Sequence, residues 1–460
     1  MASIVAAALL SVGLLATQNA SAAEPIKGSM VAYNTSLEKK KCKSKKGKAK
    51  STCLRTAKAK ATAKTRKMMS TTRGLYGYGL KAAAIPARNG TLIWNKKTTT
   101  VAGAGRTDFV LYSSRSFPGN RPIAVSGTFS VPEGTPPAGG WPVISWAHGT
   151  TGIADQCAPS RLIGSADYYG SESTELIEGW LDQGYAVLKT DYEGLGTPGV
   201  HPYLIGISEA RGVLDIVRAA RTANSKLSRE VVITGHSQGA HAALFAAQEA
   251  PKWAAEFNHL GTVPYAPPAD FQLQAAGIGA LPADAYGISA LATTILRGAA
   301  VKDPSIDPAA ILTEEAYQHY SKTETLCLGE LGEEFAATGT GPAELLRPGI
   351  LFQPAGEAFS NVLAEMDPLV ETNRPVLIVQ GRQDTTVQPG LTDTLVTRLS
   401  NLNPGLIQYT TYGQCVVSGA DPCVGVDPEV EIDSPSTHSS ILLDAEAEVD
   451  LALLDWYFPT

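Results

Sequence analysis

Apolar and β-branched residues fall in short runs separated by turn-forming residues, and the period of the pattern changes along the chain. "TDFVLYSSRS" (107–116) and "RPIAVSGTFSVP" (121–132) have the composition of strands, and the "FPGN" between them forms turns, so the two are predicted to pair antiparallel. Strands and helices then alternate. A strand is expected at Val143–Ala147, a helix near Glu175–Gln183, a strand at Tyr185–Thr190 and a helix at Ser208–Ala223. A strand at Val231–Thr234, a helix from Gln238 and a strand near Gly261–Tyr265 follow. Alternation at this spacing predicts βαβ units and a mostly parallel central sheet covered by helices on both faces, the α/β class.

The alternation stops at Pro268. It resumes with a strand at 374–381, a helix near Leu391–Ser400, a strand at 405–413 and a last helix at Ile441–Trp456. The interruption, 268–372, reads as an insertion. Its first part, "AAGIGALPADAYGISALATTIL" (275–296), carries one charge, Asp284, and is broken by Pro282 and several glycines, which predicts short apolar helices in place of a membrane span. Following the strand at 261–265, it would lie over the carboxyl edge of the sheet, where ligands bind, as a cap. The alternative is an ordinary packed subdomain. With 460 residues the chain suits either one elaborated domain with such an insertion or two domains. The predicted division is a core of 107–267 and 373–460, the cap at 268–372 and an N-terminal extension at 23–106. An apolar run from Ile4 to Ala16, followed by Ala20-Ser21-Ala22, fits a signal peptide over 1–22, and hence secretion, although no Lys or Arg precedes the run.

Charge changes the picture of the extension. Residues 39–67 hold 14 of the 38 Lys and Arg and no acid, leaving 24 bases against 44 acids elsewhere, so the overall net charge of −6 conceals a strong asymmetry. The plain expectation is a solvated, weakly structured arm lying on the acidic body. The sharper one is an arm that binds a polyanionic surface: cell-wall polymer, lipid headgroups or nucleic acid. Nucleic acid is the least favoured, because no aromatic residues are interleaved for base stacking. Six cysteines, an even number, fit disulfides in an exported protein. Fifteen connectivities exist for six. Order along the chain favours Cys42–Cys53, Cys157–Cys327 and Cys415–Cys423.

The candidate chemistry centres on "VVITGHSQGAHAALFAAQEA" (231–250), which reads as strand, sharp turn and helix around Gly235-His236-Ser237-Gln238-Gly239. With 44 glycines in the chain, chance alone supplies about 0.3 matches to a G-x-S-x-G pattern. The strand before it and the helix after it therefore carry the inference that Ser237 is a nucleophile. A serine hydroxyl needs a base in reach and a carboxylate to orient that base. Of the seven histidines, His236 and His241 sit beside Ser237 in sequence and are expected to be packing residues. His438 lies on a loop between the last strand and the last helix and is the expected base. Asp384, just beyond the strand at 374–381, is the expected carboxylate, with Asp433 as its rival. Ser237, Asp384 and His438 occur in α/β-hydrolase order on carboxyl-edge loops. The oxyanion donors are expected from the backbone N–H of Gln238 and of Thr150 in "AHGTTG", with Thr151 as the alternate and His148 ordering that loop.

"WAHGTTG", "QCAPS", "DYEGLGTPGVHPYL" and "GHSQGA", together with the distant Asp384 and His438, resemble the secretory lipase family of α/β-hydrolases over about 107–460. The resemblance implies an α/β-hydrolase fold with a helical cap between nucleophile and acid. It also implies a disulfide from the loop after the oxyanion strand to the cap, matching Cys157 and Cys327, and an exported serine esterase or lipase. Its substrate would be a small-molecule or lipid ester, and the chemistry calls for no metal or organic cofactor. The same residues would serve an acyltransferase or peptidase. A hydrolase scaffold that merely carries the basic arm is the non-enzymatic alternative.

Overall fold

Valine, isoleucine and threonine crowd the predicted strands because branched side chains pack well on a pleated surface. In a computed structural model, which describes residues 29–162, 171–413 and 436–457, nine such strands form one sheet. They are β1 (Leu92–Lys97), β2 (Ala104–Arg115), β3 (Pro122–Pro132), β4 (Trp141–Ala147), β5 (Ala186–Thr190), β6 (Leu227–His236), β7 (Asn258–Tyr265), β8 (Val376–Gly381) and β9 (Ile407–Tyr412). Their spatial order is β1-β2-β3-β5-β4-β6-β7-β8-β9. The first three pair antiparallel, β3 pairs antiparallel with β5, and β5 through β9 are parallel neighbours. The expected strands are all present, and β1 at the edge is additional.

In chain order the helices are α1 (Ser29–Lys40), α2 (Gly47–Met69), α3 (Thr72–Leu75), α4 (Ser171–Asp182), α5 (Gly206–Ala223), α6 (Gln238–Trp253), α7 (Phe271–Gly277), α8 (Tyr286–Lys302), α9 (Pro308–Ile311), α10 (Glu314–Tyr320), α11 (Leu328–Thr338), α12 (Pro354–Met366), α13 (Pro389–Leu402), α14 (Ile441–Asp444) and α15 (Glu446–Tyr457). Alternate side chains of each central strand enter opposite layers. Val143, Val231, Ile233, Val376 and Ile378 pack toward α5, α6 and α13. Ile144, Trp146, Val232, Leu377 and Val379 pack toward α4, α14 and α15, where Trp146 meets Trp180 edge-on at 5.7 Å. This period of two is what a sheet buried on both faces requires. The helix expected at Ile441–Trp456 is broken at Ala445, yet i→i−4 bonds continue across the break from Ala445 to Ile441 and from Val449 to Ala445.

Helices α7 to α12 form the segment between β7 and β8 and bury their own apolar cluster, including Leu296, Phe335, Phe359 and Leu363. Gly152 in the loop after β4 forms a bridge to Cys327, and the Cys157–Cys327 disulfide ties that loop to the start of α11.

The basic segment departs from the expected weakly structured arm. Alanine and lysine are strong helix formers, and residues 39–67 lie in and between α1 and α2, stapled by Cys42–Cys53. Ala57, Ala61, Thr65 and Met69, spaced by four, are the buried side of α2, and Asn34 of α1 donates to Thr65 Oγ1 at 2.8 Å. The expected signal peptide and the expected Cys415–Cys423 pair lie outside the described residues. Among the described residues no helix is long and apolar enough to cross a membrane.

Candidate active site

The chain runs from β4 to β5 on one side and then returns past β4 to β6 on the other, which opens a crevice at the carboxyl ends of β4 and β6. Ser237 sits there, between β6 and α6, with φ 58° and ψ −120°, a backbone conformation that non-glycine residues rarely hold. Its N–H donates to the Tyr265 carbonyl at 2.9 Å, fixing the turn against β7. The flanking glycines are steric necessities. A Cβ on Gly239 would lie 1.8 Å from the Ala147 carbonyl oxygen, and one on Gly235 would lie 2.4 Å from the Gly239 oxygen. The elbow is therefore pressed against the end of β4, next to the loop that begins at His148.

Asp384, 3% exposed, follows β8. Its Oδ1 accepts from the backbone N–H of Thr386 and Val387, both at 2.8 Å. Its Oδ2 accepts from His438 Nδ1 at 2.7 Å and from Gln380 Nε2 at 3.2 Å. With Nδ1 donating to the carboxylate, Nε2 of His438 is the nitrogen left for a proton from outside the pair. The His438 loop lies close against β8, where a Cβ on Gly381 would come within 2.6 Å of the Ser436 carbonyl. His236 adds a second hold. Its buried Nε2 donates to the His438 carbonyl at 2.6 Å with the rings 4.5 Å apart, and burial, assisted by His438, keeps its pKa well below the usual imidazole range. His236 thus contacts the site directly, which goes beyond the packing role expected of it. Its place ahead of Ser237 in sequence conceals a partner 202 residues away.

Gln238 opens α6, where the first backbone N–H groups have no acceptor within the helix. Among the described residues neither the Gln238 nor the Thr150 N–H meets a protein acceptor. The Gln238 side chain is held from behind: its Nε2 donates to Glu209 Oε1 at 2.7 Å and to His201 Nε2 at 2.9 Å. His201 Nδ1 donates to the Glu193 carbonyl at 2.8 Å, so its Nε2 accepts, consistent with a pKa lowered by burial. His241 Nε2 donates to the Met366 carbonyl at 2.7 Å, and its Nδ1 lies 3.1 Å from Glu209 Oε2. His241 is buried on α6, away from Ser237, as expected.

Thr150 Oγ1 bonds Tyr203 Oη at 2.6 Å. His148 donates from Nδ1 to the Gly149 carbonyl at 2.6 Å, and burial pushes its pKa down to about 3, which fits a loop-ordering residue that stays neutral. Asp433, the rival carboxylate, lies outside the described residues.

Ser237, Gln238, Thr150, Asp384 and His438 all line one cavity of about 1180 Å³. The rest of its wall is largely apolar and comes from the β7–β8 insertion, with Leu273, Ile278, Leu281, Ile288, Leu291 and Ile295 prominent. Sequence reading missed Glu209, His201 and Tyr203, which converge on Gln238 and Thr150 from α5 and the segment before it. "DYEGLGTPGVHPYL" contained two of them, but no spacing rule marks a contact made through a side-chain amide.

Residues 170–398 match the family model described as secretory lipase. A curated relative, Lipase A of Moesziomyces aphidis, is 36% identical over 90 residues, a match that spans 19% of this chain and 19% of the length of that protein. Among solved structures, the rice cell wall degrading esterase LipA from Xanthomonas oryzae aligns with a TM-score of 0.64 at 20% identity, covering 80% of this chain and 98% of that one. Candida antarctica lipase A in its closed state aligns with a TM-score of 0.59 at 20% identity, covering 71% and 77%. At such identity the two solved structures speak for the fold, which is that of the α/β-hydrolases. The family match adds that residues 170–398 resemble the secretory lipase family of α/β-hydrolases.

Proposed function

We propose that the protein is an exported carboxylic-ester hydrolase working through Ser237, His438 and Asp384. His438 Nε2 takes the Ser237 proton as Oγ bonds to the ester carbonyl carbon, and the Gln238 and Thr150 N–H groups receive the oxyanion. The imidazolium, held by Asp384, returns the proton to the departing alkoxide, which leaves an acyl-enzyme and an alcohol. Water then repeats the sequence and releases the acid.

The observation that carries the reading is the convergence on one apolar cavity of a strained serine, a histidine already bonded to a buried carboxylate, and two backbone N–H groups with no protein acceptor among the described residues. The apolar wall supports an ester with a sizeable hydrophobic part, and the secretory lipase match supports the same reaction class. Two disulfides support export.

The test is a series of p-nitrophenyl esters of rising acyl length, assayed with the protein and with Ser237→Ala. Hydrolysis that falls by about 10⁶, or to background, in the variant is expected. Equal turnover by both proteins would remove Ser237 from the mechanism. Product analysis in the presence of an alcohol distinguishes hydrolysis from acyl transfer.

A further inference from the structure

The α1–α2 hairpin is not used by this mechanism, and its charge is not neutralised where it lies. All 14 Lys and Arg between 39 and 67 are exposed. Among the described residues they make a single ion pair, Lys41 with Glu38 of the same hairpin at 2.7 Å, and none with the acidic remainder of the chain. The bases therefore do not serve to hold the hairpin down. That work falls to the buried stripe of α2, to the Asn34–Thr65 bond and to Met69, which packs with Tyr76, Trp94 and Phe109 beside β1 and β2. The Cys42–Cys53 disulfide keeps the lysine-bearing loop against the second turn of α2. A helix of 23 residues extends about 34 Å, so the hairpin holds its cations on an ordered, elongated surface.

We infer that this hairpin is an electrostatic docking surface for an anionic lipid interface. Charge complementarity selects a polyanion, and lysine-rich helices bind acidic headgroups without requiring a pocket. Among the described side chains of the hairpin, Leu54, 41% exposed, is the one large apolar group facing solvent, so adsorption there depends on charge and not on inserted apolar groups. A lipid interface is chosen over a soluble polyanion because apolar esters gather there, and in that respect the inference rests on the ester-hydrolase reading. The acidic body would be repelled by the same interface, so the molecule should approach hairpin first.

The experiment uses the full chain carrying Ser237→Ala, so that binding is measured without turnover. It is sedimented with vesicles of phosphatidylcholine alone or mixed with phosphatidylglycerol. Binding to the mixed vesicles at least about tenfold stronger than to phosphatidylcholine, and abolished by high salt, is expected. Replacing Lys58, Lys60, Lys64 and Lys67 by Gln, all at exposed positions, should weaken it about tenfold or more while leaving the melting temperature and the ester turnover of the Ser237-bearing protein on a soluble substrate unchanged. Equal binding to both vesicles, or unchanged binding by the four-site variant, overturns the inference. So does retention on heparin with no vesicle binding, which would assign the hairpin to a soluble polyanion. Vesicle binding by a protein that hydrolyses no ester would leave the docking surface standing and remove the proposed reaction.

Discussion

At the residue scale, the candidate site depends on groups that hold its members as much as on the members themselves. Gln238 is the clearest case, because the residue expected to supply an oxyanion N–H is pinned through its side chain to Glu209 and His201. Gln238→Leu removes both bonds: it leaves buried His201 Nε2 without its donor, and Glu209 Oε1 keeps only the Leu204 N–H at 3.0 Å. We expect it to cost about 2 kcal/mol of stability and to lower kcat about 10- to 100-fold with a smaller change in KM. Steady-state kinetics on one p-nitrophenyl ester beside a urea titration checks this, and an unchanged kcat would show that the N–H needs no such support. Ser237, Asp384 and His438 were legible because a nucleophile elbow and carboxyl-edge loops follow from strand and helix patterning. Glu209 and His236 were not. Their roles rest on hydrogen bonds to a side-chain amide and to a backbone carbonyl, neither of which leaves a periodic trace.

At the scale of elements, the loop after β4 is fixed to the insertion by a short stretch of contacts. The Leu328 N–H donates to the Thr151 carbonyl at 3.0 Å, Gly152 bridges Cys327, and the disulfide closes 170 residues of chain. Cys327→Ser should cost about 2–5 kcal/mol. It should also reduce turnover, because the loop that presents Thr150 loses its anchor. Thermal melting and ester kinetics together test the link, and full activity with a lowered melting temperature would show that the disulfide stabilises the protein without ordering the site. The strands were legible because branched residues at period two have few alternatives. The hairpin is not legible in the sequence because like-charge repulsion among 14 bases opposes the helix-forming strength of alanine and lysine, and because a buried stripe of Ala57, Ala61 and Thr65 carries little hydrophobic signal.

For the whole molecule, burial of imidazoles sets how the fold responds to acid. His148 is held down to about 3 and His259 to about 4, in each case first by burial, and His236 and His201 are lowered as well. An unfolded imidazole titrates near 6.5. Between that value and the folded one, the unfolded chain binds more protons. The contribution of each histidine is therefore complete above about pH 6.5 and is lost as pH falls toward 3 or 4. Glu193 opposes them: burial raises its carboxyl to about 7, so the folded state holds the extra proton, and its contribution grows as pH falls from 7 toward the ordinary carboxylate range. Two substitutions with opposite signs follow. His259→Gln keeps an N–H donor for the Gly261 carbonyl, which His259 Nε2 meets at 3.0 Å, but does not titrate. It should lose roughly 2 kcal/mol less than the parent protein between pH 7 and pH 5. Glu193→Gln mimics the protonated acid and should make the loss over the same interval steeper. Urea unfolding free energies at the two pH values for the three proteins decide the matter. Parallel losses in all three would mean that neither group carries a proton-linked share of stability, and that the acid response arises from the carboxylates of the surface.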